Sequence, residues 1–345
     1  MRYKILGRSG LRVSELSLGA MTFGNDWGFG AAKDESRRVF EVYAEAGGNF
    51  IDTANKYTNG TSERWVGEFL GRERERFVLA TKYSLSMREG DPNASGNHRK
   101  NLVQSVEASL ARLSVEYVDL LWLHAWDYTT PADEVMRALD DLVRTGKVLH
   151  VGISDAPAWV VSQCNTVAEL RGWIQFTALQ VEYSLIERTV ERELLPMARS
   201  FGLAITPWAA LGGGLLAGKF TRTAPGDADT RRAQWNERRM NDANLRIARA
   251  VDAVADALGR SSAEVALNWV RQQPGIVIPI LGARTARQLE QSLGCLDFEI
   301  PPEQLAQLNE VSAVPLGFPH DFLNRDRTQE ILYGDLAKRI DRPKP

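Results

Sequence analysis

The segment FIDTANKY, residues 50–57, opens as a short apolar run and ends on a lysine and a tyrosine. The same design returns in LATKY at 79–83 and in DLLWLH at 119–124. Runs this short and this apolar fit strands covered on both faces, as in a parallel sheet wrapped by helices. In each, the distinctive polar residue stands at or next to the C-terminal end: Asp52, then Lys82, then His124, with Tyr57 five residues beyond Asp52. Barrels of parallel strands collect their catalytic side chains at that end. Taken singly, Asp52 reads as a helix cap, Lys82 as a solvated strand end and His124 as a hydrogen-bonded core histidine. Their joint placement on three consecutive units is what points to one shared site.

Working outward, short β-rich runs alternate with amphipathic stretches of roughly 10–15 residues, the pattern of repeated βα units. The spacing predicts barrel strands at Ser17–Ala20, Asn49–Asp52, Phe77–Thr81, Val118–His124, Val148–Ser154, Ala178–Val181, Ala204–Pro207 and Val277–Ile280. Helical patterns such as KDESRRVFEVYAEAGG, RKNLVQSVEASLARL and PADEVMRALDDLVRTGK lie between them, the first and last running into Gly where a helix end wants one. RYKILGRSGLRVSELSLG, at the start, reads as a β-hairpin around Ser9-Gly10 that caps the barrel floor. Gly212 to Asn241 and the tail after Val314 break the rhythm and are expected as loops over the C-terminal face. The expected fold is an α/β (β/α)8 barrel in one domain spanning 1–345. A doubly wound sheet competes, but no GxGxxG follows an early strand.

The chain has 44% hydrophobic and 25% charged residues and a formal net charge of −2, with basic residues spread throughout. This leaves no electrostatic footprint for nucleic acid. Cys164 and Cys295 form no ligand spacing and are expected as reduced core thiols. There is no signal-peptide pattern at the start and no apolar run long enough for a membrane span, so a cytoplasmic location is expected. The mixed character of the helical faces leaves the oligomeric state open.

The three opening segments resemble the signatures of the aldo-keto reductase superfamily. The likeness continues in VGISD (151–155), LQVEYSLIER (179–188), ITPWAALGGGLLAGK (205–219) and PILGARTARQLEQSL (279–293), in the family's order and over nearly the whole chain. The branch it looks most like is that of bacterial general stress proteins and potassium-channel β subunits. The resemblance implies an NADP(H)-dependent reduction of an aldehyde or ketone, reversible toward the alcohol. Tyr57 then matches the residue that protonates the carbonyl oxygen, Lys82, held by Asp52, the ammonium that favours the phenolate, and His124 a donor that orients the substrate. A hydrophobic xenobiotic or secondary-metabolite carbonyl is the expected substrate. A cofactor-binding, slowly turning-over regulatory subunit of the channel type is the alternative.

The same resemblance places Ser154, Asp155 and Gln180 on the nicotinamide carboxamide, with Met21 nearby, and Trp208 stacked on the ring. Ala210, Leu211, Gly213, Leu215 and Lys219 match the loop over the pyrophosphate. Gly282, Arg284 and Gln288 open a helix whose N-terminus suits a phosphate, and Arg284 can fork onto a 2′-phosphate, favouring NADP(H) over NAD(H). Gln291 and Ser292 fall on the adenosine side, where relatives carry Glu and Asn. Position 155 also departs from the pattern, Asp standing for the usual Asn, and Ala20 and Met21 replace Thr and a bulky aromatic. Met21, Phe23, Trp27 and Trp126, with the tail around Phe318 to Phe322, are the candidate substrate walls; ordinary packing of loop aromatics is the competing reading.

Overall fold

In a computed structural model, residues 1–222, 239–336 and 339–340 are described. Residues 223–238, within the expected Gly212 to Asn241 loop, and 337–338 and 341–345, in the expected tail, lie outside them. The chain opens with the antiparallel hairpin β1 (Tyr3–Ile5) and β2 (Arg12–Ser14). The barrel strands follow: β3 (Ser17–Gly19), β4 (Phe50–Asp52), β5 (Val78–Tyr83), β6 (Val118–Leu123), β7 (Val148–Ser154), β8 (Phe176–Glu182), β9 (Ala204–Trp208) and β10 (Ile280–Gly282). All neighbours pair in parallel, in the order β10-β3-β4-β5-β6-β7-β8-β9. One bridge between Ile205 and Val277 joins the two ends, which makes the sheet a nearly closed (β/α)8 barrel.

That bridge corrects the expected eighth strand. Residues 276–278 bond to β9 through Ile205 (Ile205 N to Ile276 O, 2.7 Å; Ile278 N to Ile205 O, 2.8 Å), whereas 280–282 pair with β3. Pro279, which has no N–H, separates the two pairings. The segment thus changes partner where the expected strand was continuous.

Helices fill the crossovers: α1 (Lys33–Glu45), α2 (Thr61–Leu70), α3 (Arg99–Leu113), α4 (Ala132–Arg144), α5 (Ala158–Arg171), α6 (Leu194–Phe201), α7 (Asp242–Leu258), α8 (Ser262–Arg271) and α9 (Ala286–Leu293). α10 (Pro302–Val311), α11 (His320–Leu323) and α12 (Asp326–Tyr333) complete the chain. In α4, Val135, Met136, Leu139 and Leu142 recur at helical spacing and are buried, while Asp133 and Glu134 complement the helix N-terminus. α8 begins with a capping box, Ser261 and Glu264 each bonding the other's backbone N–H.

The barrel interior holds Phe50, Val78, Ala80, Leu120, Trp122, Ala178, Ala204 and Ile278, and the hairpin adds Leu6 and Val13 to the same cluster. The hairpin therefore plugs the floor, as its position in the sequence predicts. Gly152 is required beside this core, because a Cβ there would stand 2.4 Å from the Trp122 ring. Tyr43 ties the first strands together: its hydroxyl donates to Leu16 O (2.7 Å) and accepts from Phe50 N (3.1 Å). With the floor sealed by side chains, the open end is the one at which Asp52, Lys82 and His124 emerge.

Candidate active site

Lys82 is fully buried on β5, and its ammonium reaches Asp52 Oδ1, Thr53 O (2.9 Å) and Tyr57 Oη (3.1 Å). An ammonium has three hydrogens and no acceptor, so these contacts use all of its donors. Tyr57 Oη is therefore the acceptor from Lys82 and keeps its own proton for another partner. The second Asp52 oxygen accepts from Gln180 Nε2 at 3.0 Å. Gln180, expected as a carboxamide contact, spends one Nε2 hydrogen on Asp52, and its carbonyl oxygen can still accept.

Tyr57 is presented by a tight turn in which Thr58 and Asn59 are left-handed, with φ of 45° and 53°. A β-branched residue resists that conformation. Here Thr58 is held by its own hydroxyl, which donates to Phe23 O (2.8 Å) and accepts from Ser62 N (3.0 Å). His124, fixed by its backbone N–H to Tyr83 O at 3.0 Å, meets the Tyr57 ring edge-on with centroids 5.8 Å apart. Trp27 closes the other side of the phenol, also edge-on, at 6.3 Å. The four tetrad residues are thus brought together, with Gln180, expected on the carboxamide, and Thr53 O, which the sequence pattern did not single out, as partners.

Electrostatics sharpen the assignment. Burial drives the Tyr57 pKa up, and although the Lys82 ammonium pulls it down, the net direction is upward from the usual phenol value. The sequence reading expected the ammonium to move it toward neutrality. Burial outweighs that pull because the charged phenolate loses its water. Burial alone would lower the Lys82 pKa, but Asp52 and Tyr57 reverse this and raise it. His124 is depressed to about 3, first by burial and then by Lys82, so its imidazole is neutral. Its Nδ1 is buried without a hydrogen-bond partner.

The remaining strand ends line the mouth. Ser154, buried at the end of β7, has a hydroxyl with no hydrogen-bond partner. Asp155 follows with φ of 44°, a conformation that Asp tolerates better than most residues. Its Oδ1 accepts from Trp208 Nε1 at 3.2 Å. An unsatisfied hydroxyl, an amide carbonyl on Gln180 and a half-exposed indole at one rim fit an amide-bearing planar ring such as nicotinamide.

Beyond β9 the chain turns through Gly212, Gly213 and Gly214 at φ of 57°, 68° and 100°, a path that only glycines follow readily in succession. Leu211 and Gly213 are half-buried, whereas Ala210 and Leu215 are buried; Lys219 is exposed. Gly282, Arg284, Gln288 and Gln291 are solvent-accessible along the start of α9. Thr285 caps this helix by accepting from Gln288 N (3.2 Å), Gln288 Oε1 accepts from Arg284 N (3.0 Å), and Ser292 Oγ bonds Gln288 O (2.9 Å). The first helical amide, Ala286 N, already donates to Glu35 Oε1 of α1 at 2.8 Å. No sequence pattern marked Glu35, which lies 251 residues away along the chain.

Of the proposed substrate walls, Trp27 and Trp126 are half-buried and Met21 is exposed. Phe23 is fully buried against Phe69, with centroids 6.0 Å apart, and is core rather than mouth. Its neighbour in sequence, Gly24, has a positive φ of 123°. Phe318 and Phe322 pack on each other at 6.1 Å while Phe318 remains 85% exposed. The tail is anchored by Arg192 Nε to Pro315 O (3.0 Å) and His320 to Glu193 (2.9 Å), on the segment that joins β8 to α6 at the C-terminal end of β8.

Residues 15–313 match the family model described as the aldo/keto reductase family. The chain belongs to the aldo/keto reductase family. This reductase is 40% identical to the norsolorinic acid reductase of Emericella nidulans over 91% of its own length and 82% of the relative's. It is 37% identical to the NADP⁺ aryl-alcohol dehydrogenase of Phanerodontia chrysosporium over 90% of its length and 86% of the relative's. A putative aryl-alcohol dehydrogenase of Saccharomyces cerevisiae is 34% identical, with 94% and 90% covered. These fungal relatives place the chain among reductases and alcohol dehydrogenases instead of singling out the channel β-subunit branch expected from the motifs. It is an oxidoreductase acting on carbonyl and alcohol groups. Among the described residues no helix is long and apolar enough to cross a membrane.

Proposed function

We propose that this reductase converts aryl aldehydes or ketones to the alcohols with NADPH, using Tyr57 as the proton donor. The observation that carries this reading is the Lys82 ammonium with its three donors engaged, which makes Tyr57 Oη an acceptor toward lysine and directs the phenolic proton to the mouth. A reduced nicotinamide bound at this rim supplies hydride. Tyr57 delivers a proton to the carbonyl oxygen, and neutral His124 donates a hydrogen bond to the same oxygen and orients it. Asp52 keeps Lys82 charged and in place. Ser154 Oγ and the Gln180 carbonyl hold the carboxamide, with Trp208 against the ring.

An aromatic substrate is supported by Trp27 and Trp126 at the mouth and by the likeness to the aryl-alcohol dehydrogenases. Oxidation of NADPH by the purified protein with 4-nitrobenzaldehyde, a glyoxal and a bulky aryl ketone is the direct assay. Rapid multiple turnover with aryl carbonyls is the expected result. NADPH binding with no turnover on any of them would favour the regulatory-subunit alternative.

Cofactor choice rests on the start of α9. Arg284→Ala is expected to weaken NADPH by about tenfold to a hundredfold, the worth of a charge-assisted contact, and NADH hardly at all. Equal losses for both cofactors would place the 2′-phosphate elsewhere. Glu35 supplies a rival anion at the first α9 amide, so a phosphate reaching that amide must displace a carboxylate. Glu35→Gln keeps an acceptor but removes the charge, and is expected to tighten NADPH about fivefold relative to NADH, as for a surface charge at a helix N-terminus. An unchanged ratio in equilibrium binding would show that Glu35 only joins α1 to α9.

A further inference from the structure

We propose that Asp155 is a positioning residue whose carboxylate holds the Trp208 indole by its ring N–H and so sets the angle of the aromatic face on which the nicotinamide lies. This deepens the function proposed above and rests on its placement of the ring against Trp208. An indole N–H can only donate, and a carboxylate can only accept, so the 3.2 Å contact has a single polarity. The acceptor end is rigid. Asp155 N donates to Gln180 O of β8 at 3.3 Å, and Asp155 O accepts from Trp126 N at 3.4 Å, which pins the residue between the ends of neighbouring units. Its left-handed backbone, φ 44°, then fixes where the carboxylate points.

The donor end is held less firmly. Trp208 ends β9 opposite Glu182, is followed by left-handed Ala209, and its ring is only half-buried. Backbone pairing therefore fixes where the tryptophan starts and leaves its ring angle to side-chain contacts. A charged acceptor makes a hydrogen bond roughly twice as strong as a neutral one, so Asp at this position grips the ring more tightly than Asn would. The Trp208 bond uses Oδ1 alone.

The charges that act on Asp155 are Lys82 from β5 and Glu182 from β8, while Asp155 itself acts on Tyr57. Desolvation raises its pKa from the usual carboxylate value, opposed by the Trp208 bond and Lys82. The charge-assisted grip thus weakens as acid protonates the carboxylate, at a higher pH than an ordinary carboxylate would.

The protein can be prepared with 5-fluorotryptophan, and the Trp208 ¹⁹F resonance assigned by its loss in Trp208→Phe. In apo protein, that resonance is expected to titrate as the pH is lowered, above the range of an ordinary carboxylate. Asp155→Asn, which keeps an acceptor, is expected to hold the resonance in one sharp environment with the titration gone. Asp155→Ala is expected to shift and broaden it, and to weaken NADPH in equilibrium binding by about tenfold or more, against less than about threefold for Asp155→Asn. The proposal is overturned if the resonance titrates identically in Asp155→Asn, or if Asp155→Ala leaves it unmoved. A resonance that shifts as expected in apo protein but does not respond to NADPH would overturn the platform role of Trp208 instead; the two failures are separate because the grip is read without cofactor.

Discussion

Tyr57→Phe is expected to lower kcat for carbonyl reduction by about 10²–10⁴, the usual worth of a positioned general acid, while NADPH affinity stays within about threefold. Phenylalanine preserves the ring that His124 and Trp27 meet edge-on, so only the hydroxyl is lost. Steady-state kinetics and equilibrium binding on the same preparation separate the two effects. Near-normal turnover would remove Tyr57 from the role of acid. The wild-type pH profile makes the same point independently. A phenol must be protonated to give up its proton, and burial raises the Tyr57 pKa above its ordinary value of ~10. The rate of reduction should therefore hold steady through neutral pH and fall only on the far alkaline side. His124, at about 3, is neutral throughout that range and adds no acid limb near pH 6. A basic limb near neutrality would show that Lys82 outweighs burial after all.

The second large effect falls on stability as well as rate. Lys82→Met leaves the Asp52 carboxylate buried, 3% exposed, with the Gln180 amide on one oxygen and no counter-charge. Removing one partner of a buried ion pair costs about 3–5 kcal/mol, because the remaining charge has neither water nor partner. Urea denaturation of the apo protein is expected to show a loss of that size, together with loss of activity. Adding Asp52→Asn should restore much of the stability, since no charge is then stranded, without restoring turnover. A Lys82→Met protein as stable as wild type would show that the buried Asp52 carboxyl needs no counter-charge.

Much of the site was legible because chemistry at a parallel barrel's rim is written at strand ends. FIDTANKY, LATKY and DLLWLH each pair an apolar run with one polar residue at its close, and the side chains do converge. The alternation of strands and helices likewise anticipated the nearly closed sheet and its hairpin plug. What stayed hidden has local physical reasons. The break in the eighth strand at Pro279 depends on which neighbour each half can reach. Phe23 looked like a mouth residue because it lies in the right loop, but Gly24 and the Thr58 bond to its carbonyl accompany a ring packed onto Phe69. Which βα loop the Phe318 to Phe322 tail joins was likewise hidden: it is held beside the β8 to α6 connection, by bonds to Arg192 and Glu193.

The linear order of residues by itself determined which chemical groups stand at which strand ends, and hence the reductase family and the candidate tetrad. That information is local, carried by apolar periodicity and by the residue that ends each run. Only the tertiary structure decided the protonation balance and the partners of those groups. Whether burial or an ammonium governs Tyr57, whether Gln180 faces Asp52, and whether Glu35 or a ligand meets Ala286 depend on desolvation and on distances between residues far apart in the chain. Those quantities exist only once the barrel has closed, because electrostatic energy depends on separation and on excluded water, neither of which a one-dimensional order contains.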